Sequence, residues 1–216
     1  MKRLKILILT ISLLSITLLV GCSNDGAPAN DEIKQELQYD VNSTKNITLG
    51  KIKPENPDAP IAPTESVDEL ERTADVTLDI PKTWTPNTSV QGASDFFESP
   101  SKNISVYNKV FKILDNKSED EFLDELDDVV RGNINCPEEE LKIEEVTVSK
   151  KKCKLYTYRH YDSEGNYINL SSLVFVCNGQ SYHITSASSK DCGEDDAKNF
   201  REELLKSAII KIKEIE

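Results

Sequence analysis

Hydrophobic positions fall into three regimes along the chain. Lys2, Arg3 and Lys5 precede an apolar run over Ile6 to Val20, broken only by Thr and Ser. A basic start, a short apolar stretch and small residues after it have the pattern of a secretory signal peptide, and the run is short for a span of about 20 residues. From Ser23 to Leu70 the pattern disappears. Pro28, Pro54, Pro57, Pro60 and Pro63 stand among Asn, Asp and Gly. That composition buries too little apolar surface to offset chain entropy, so residues 22–70 read as a disordered tether.

From Glu71 onward the pattern becomes regular. Val76, Leu78 and Ile80 alternate with polar residues, the period of a half-buried strand. Further strands are expected over 93–98, 103–112, 141–149, 152–162, 169–177 and 181–188. Asn178-Gly179 is a strong hairpin signal, because both residues tolerate the positive φ of a type I′ turn. Ser118 with Glu121 three residues later has capping-box spacing. Phe122, Leu126, Val129 and Val130 then share one helical face, with acids on the other. A last helix carries Ala197, Phe200, Leu204 and Ala208 on one face, and Ile210 and Ile212 continue it or form a short edge segment. Successive hairpins make the sheet antiparallel. The expected class is α+β, an antiparallel sheet of about six to seven strands flanked by helices. Residues 1–21 are a signal peptide, 22–70 a tether and 71–216 one globular domain.

The end of the apolar run, Leu19-Val20-Gly21-Cys22, resembles the lipobox of bacterial lipoproteins. The resemblance implies diacylglyceryl transfer to the Cys22 thiol, cleavage between Gly21 and Cys22, and acylation, such as with palmitate, that anchors the chain on the extracytoplasmic face of the cell membrane. Two acyl chains anchor stably, since each buried methylene contributes about 0.8 kcal/mol and one chain alone is marginal.

Charge narrows the partners. The formal charge is −12, and residues 1–21 contain three basic residues and no acid, so the mature chain carries −15. Such a chain is repelled by phosphate backbones, and nucleic acid is not an expected partner. Four cysteines follow Cys22: Cys136, Cys153, Cys177 and Cys192. An even number in an exported chain permits two disulfides, and Cys153 with Cys177 could bridge neighbouring strands, leaving Cys136 and Cys192 in loops. Buried free thiols are the alternative. No C-x-x-C pair supports a zinc site.

Chemistry-bearing motifs are sparse. No G-x-S-x-G, H-E-x-x-H, P-loop or dinucleotide fingerprint occurs, so neither a catalytic activity nor a cofactor is expected. The acids over 119–128 lie on a helix without a calcium-loop pattern. His160 and His183 fall on separate strands, too far apart to share a metal ion. Tyr156, Tyr158 and His160 share one strand face. They form either an aromatic patch for a small ligand or partner protein, or core beneath a helix.

Leu78-Asp79-Ile80-Pro81-Lys82-Thr83-Trp84, the hairpin Asn178-Gly179-Gln180-Ser181-Tyr182-His183-Ile184-Thr185, and Phe200-x-x-x-Leu204-x-x-Ser207 together resemble the PsbP-like (Mog-type) family over roughly residues 71–216. The resemblance implies an α/β/α sandwich and, since the plant member is a non-enzymatic accessory subunit of photosystem II, a binding or accessory role in the cell envelope. A structural component of an envelope complex, or an envelope enzyme of unknown reaction, are the alternatives. The four cysteines depart from the family.

If Cys22 is the lipidated residue, globomycin treatment or Cys22→Ala leaves the signal peptide uncut. Mass spectrometry then finds the full precursor, with the diacylglyceryl mass after globomycin, which blocks only the cleavage, and without acyl mass in Cys22→Ala. An unchanged mature mass in both cases would refute the lipoprotein reading.

Overall fold

The computed structural model describes residues 36–37, 43–49, 72–87, 94–113, 118–133 and 136–214. Ten strands are described: β1 (Thr44–Leu49), β2 (Ala74–Pro81), β3 (Thr85–Pro86), β4 (Ser94–Glu98), β5 (Ile104–Lys112), β6 (Lys142–Val148), β7 (Lys151–Tyr161), β8 (Tyr167–Cys177), β9 (Gln180–Ser189) and β10 (Ile209–Ile212). Two helices, α1 (Glu119–Asn133) and α2 (Glu194–Lys206), complete the fold with a short 3-10 turn over Glu138–Glu140. Among the described residues, no helix is long and apolar enough to cross a membrane.

Seven strands pair antiparallel in the order β3-β4-β5-β9-β8-β7-β6. A smaller antiparallel sheet has the order β1-β2-β10. This is the α+β class expected from the pattern, an antiparallel sheet flanked by helices. The β8–β9 turn places Asn178 at φ 47° and Gly179 at φ 73°, as a type I′ turn requires. The capping box forms too. Ser118 N–H donates to Glu121 Oε2 at 3.0 Å, and Glu121 N–H donates to Ser118 Oγ at 3.3 Å.

The large sheet is buried on both faces. On one face α2 and the small sheet bury Leu78, Ile80, Trp84, Leu155, Leu173, Phe175, Tyr182, Ile184, Phe200 and Leu204 in one cluster. Phe175 and Tyr182 stack there with ring centroids 4.7 Å apart. The Tyr182 hydroxyl accepts from Ala74 N–H at 2.8 Å and donates to Gln180 Oε1 at 2.9 Å, tying the small sheet to the large one. On the other face Leu123, Leu126 and Val130 of α1 cover Tyr156, Tyr158, Leu170, Val174, Val176 and Ala187.

Two buried cations join the helices to the sheet. Lys154 donates to Leu123 O at 3.0 Å, Asp124 at 3.2 Å and Asp127 at 2.7 Å. Its burial opposes the charge, but Asp127 and Asp124 hold the ammonium above its ordinary pKa. Arg201 of α2 donates from Nε to Ser171 Oγ at 3.2 Å and from Nη1 to Ser188 Oγ. Burial lowers that guanidinium to about 10, so it remains charged at neutral pH.

Two sequence-based expectations change, and one open alternative is decided. The tether does not extend unbroken to residue 70, because Thr44–Leu49 is a strand paired along β2 from Thr44↔Pro81 to Leu49↔Val76. Ile47 and Leu49 already alternate there, but the strand needs the free edge of β2 to be stable. Of the two alternatives left open at the C-terminus, the edge segment is the one found, with Ile209–Ile212 paired with the other edge of β2. Thr85–Pro86, not expected as a strand, pairs with β4.

Leu49 is 2% exposed in the main core. Leu49→Ala therefore lowers unfolding stability by about 2–4 kcal/mol, the usual cost of a buried leucine truncation. Urea denaturation with an unchanged midpoint would place β1 outside the cooperative domain.

Candidate functional site

A cleft opens on the α1 face where the C-terminal half of that helix stops short of β5. Val130 closes one side. Tyr156 and Tyr158 of β7, Ser172 and Val174 of β8, His183 and Thr185 of β9, and Tyr107, Lys109 and Phe111 of β5 supply the rest. Alternation decides this membership, since every second residue of each strand points to the same face. On β5 the alternates Tyr107, Lys109 and Phe111 face α1, while Val106 and Val110 enter the opposite core.

Hydrogen bonding fixes the floor. Ser172 Oγ and Thr185 Oγ1 lie 2.8 Å apart. Thr185 also bonds the Tyr107 hydroxyl, and Ser172 bonds that of Tyr158. Burial pushes Tyr107 up to about 12 despite its bond to Thr185, and raises Tyr158 further. Ser181 Oγ lies 2.7 Å from His183 Nε2, and Phe111 meets the His183 ring edge-on with centroids 5.1 Å apart. Burial first, and then the charge of Lys109, push His183 down to about 3, so the ring is neutral at every ordinary pH. Burial also lowers Lys109, whose ammonium stands 5.9 Å from the Tyr107 ring centre.

The cavity amounts to about 30 Å³. Measured in this way, a water needs roughly 10–15 Å³. The interior therefore accommodates one or two waters, and a larger ligand would have to move α1 or occupy the mouth beside Lys109 and Phe111. What the arrangement offers chemically is a neutral imidazole, an amine of lowered pKa and hydroxyls in a confined, mostly apolar space.

The residues expected from sequence are placed differently. Cys22 lies outside the described residues. Tyr156 and Tyr158 do not form a surface patch: they are 1% and 4% exposed beneath α1, and the Tyr156 hydroxyl donates to Asp127 at 2.8 Å. The strand face they share with His160 is the face α1 needs for its own apolar stripe. His160 is half-buried near the end of β7, where burial lowers its pKa. It pairs with Ile168, which pairs with Ser189, whereas Val174 pairs with His183. The two rings thus sit two strands and six residues apart, about 20 Å. Among the described residues, no cluster of three metal-ligating side chains occurs.

Cys136, Cys153, Cys177 and Cys192 are free thiols. The register explains why the bridge suggested by sequence is not formed. Lys154 pairs with Val174, so Cys153 aligns next to Phe175 and is displaced from Cys177 by two residues along the strand. Such a diagonal separates β-carbons by about 7–8 Å, against roughly 3.5–4.5 Å in a disulfide. Burial raises all four thiols, Cys153 to about 11.

Lys109, Tyr107 and Phe111 were not legible as site residues. Their only signal is alternation along 105–111, and it marks a face without saying what covers it.

No protein-family model and no curated protein matches the chain. Among solved structures, it is similar to cyanobacterial PsbP (CyanoP) from Synechocystis sp. PCC 6803, at 14% identity over 63% of this chain and 86% of that one, with a TM-score of 0.45. It is also similar to LpqN of Mycobacterium tuberculosis, a protein involved in cell envelope biogenesis, at 12% identity over 87% and 99% of the two chains and a TM-score of 0.44. A protein of Bacteroides thetaiotaomicron VPI-5482 matches at 13% identity over 64% and 45%, with a TM-score of 0.42.

The histidine generates a pH dependence. Its folded pKa of about 3 lies below its unfolded value, so the folded state binds fewer protons between the two. Stability is complete above about pH 6.5 and falls toward pH 3, by up to about 1.4 kcal/mol per pH unit from this group. His183→Gln flattens that part of the acid limb in denaturant midpoints measured from pH 7 to 4. An identical slope in the variant shows that His183 does not cause it.

Proposed function

We propose that the chain is a lipid-anchored extracytoplasmic protein whose domain acts as a non-catalytic binding or accessory module of the cell envelope. Anchoring rests on Leu19-Val20-Gly21-Cys22, with its basic start and apolar run. The observation that carries binding over chemistry is the fate of the reactive side chains. Tyr156 and Tyr158 serve as core, and His183 is held neutral between Ser181 and Phe111 in a cavity of about 30 Å³. In the cavity, His183 has a serine, a phenyl ring and Lys109 as its neighbours rather than a carboxylate or thiol, and His160, which feels the charge of Asp162, does not line that cavity. The partner is then an envelope protein or small ligand met outside the membrane.

Fractionation and crosslinking of intact cells test this reading. The native chain sediments with membranes, carries acyl mass and crosslinks to a small set of envelope components, whereas Cys22→Ala carries no acyl mass. Absence of acyl mass from the native chain sinks the anchoring. A crosslink pattern no different from that of an unrelated anchored domain sinks the binding role.

A further inference from the structure

The two outer strands of the large sheet differ. β3 closes one side with two residues, the second a proline, Thr85–Pro86. β6 closes the other with seven residues, paired with β7 from Lys142↔Thr157 to Val148↔Lys151 without a proline or a register shift. Among the described residues, no strand pairs with the outer edge of β6. Such an edge presents a row of backbone N–H and C=O groups, and natural sheets blunt it by brevity, proline, a bulge or charge. β3 has the first two. β6 has charge alone, in Lys142, Glu144 and Glu145.

Apolar cover is incomplete along this strand. Successive side chains point to opposite faces. Ile143 is half-buried and packs against the core beneath α1, whereas Val146 is half-buried and packs against the core beneath α2. Both cores thus run out to this edge, and an added strand would cover both residues. The charges select which strand. Glu144 and Glu145 are exposed, one on each face. Lys152 stands 3.7 Å from Glu145, but no side chain among the described residues pairs with Glu144. Residues directly opposite in an antiparallel pair share a face, so two adjacent basic residues on an incoming strand meet the two acids. An apolar residue and then an acid after them meet Ile143 and Lys142. A second copy of the chain fits worse. Paired with itself about its centre, β6 sets Glu145 against Glu145, and like charges directly opposite are destabilising.

We propose that the outer edge of β6 accepts, by antiparallel strand addition, an extended segment of an envelope partner that carries two adjacent basic residues. This rests on the binding role proposed above and names its surface and the partner's chemistry. Main-chain hydrogen bonds supply the attachment, and the alternate side chains supply the selection.

Hydrogen exchange tests it on the full lipidated chain in detergent micelles, with the peptide Ac-Thr-Val-Lys-Lys-Val-Glu-NH2 as the probe. The peptide lies opposite Thr147 to Lys142. At ten times its dissociation constant it leaves about one-tenth of the edge open, so exchange over residues 142–148 slows about tenfold. Two controls separate strand addition from charge attraction. A peptide of the same charge with proline for both valines lacks a donor facing β6 and gives no slowing. Glu144→Lys with Glu145→Lys abolishes the slowing by the basic peptide and transfers it to Ac-Thr-Val-Glu-Glu-Val-Glu-NH2. Slowing that is absent, that falls elsewhere in the chain, or that survives the prolines overturns the proposal. Slowing over 142–148 that grows with protein concentration in the absence of peptide identifies a second copy as the occupant and overturns it as well. The native partner takes no part in this experiment, so its failure removes the edge and leaves the binding role standing. A crosslink pattern no different from that of an unrelated anchored domain removes the role itself.

Discussion

Strand β8 runs through nine consecutive buried residues, Asn169 to Cys177, and such a run is stable only when both faces of its sheet are covered. The rest of the molecule meets that demand unequally. One face receives α2 together with the whole β1-β2-β10 sheet, and its core is the larger of the two. The other receives α1 alone. A single fifteen-residue helix, about 22 Å long, cannot cover a seven-stranded face. It lies over β7 and β8, and the cleft opens where it leaves β5 and β9. The floor of that cleft keeps its buried polar groups satisfied, because the hydroxyls of Ser172, Thr185, Tyr107 and Tyr158 bond one another.

The same demand explains what could be read from the sequence. The hairpins, capping box and strand periods are local, and Asn178-Gly179 or Ser118 with Glu121 specify their geometry without help from distant residues. Coverage is not local. Tyr156 and Tyr158 alternate identically whether a helix lies over them or solvent does, so their fate as core was undecidable from β7 itself. Thr44–Leu49 has a weak alternating pattern inside a proline- and asparagine-rich stretch. Its partner lies about thirty residues later in β2, and only that pairing makes it a strand. The cysteines illustrate register: a two-residue offset between Cys153 and Cys177 separates a bridge from two buried thiols, and hairpin signals do not resolve it.

The acidic face of α1 proves more than a solvated surface. Glu119, Asp120, Asp124 and Asp127 meet Lys151, Lys152 and Lys154 of β7. These pairs are not equivalent. Lys152 and Asp120 are 49% and 73% exposed, and water screens such a pair. Lys154 is 4% exposed and Asp127 28%. There the ammonium has lost its water, and the aspartates and the Leu123 carbonyl replace it. Removing Asp127 would take the nearer of two carboxylates from a buried ammonium and the acceptor from the Tyr156 hydroxyl together, a larger loss than that of a surface pair. The Lys154 contacts to Asp124, Asp127 and Leu123 therefore add to α1 what apolar area supplies to α2. They hold in place a helix whose outward face is too acidic, and whose covered area is too small, to be fixed by burial alone. The position of α1 in turn sets the width of the cleft, so the electrostatics of one lysine on β7 reach the space beside His183 without touching it.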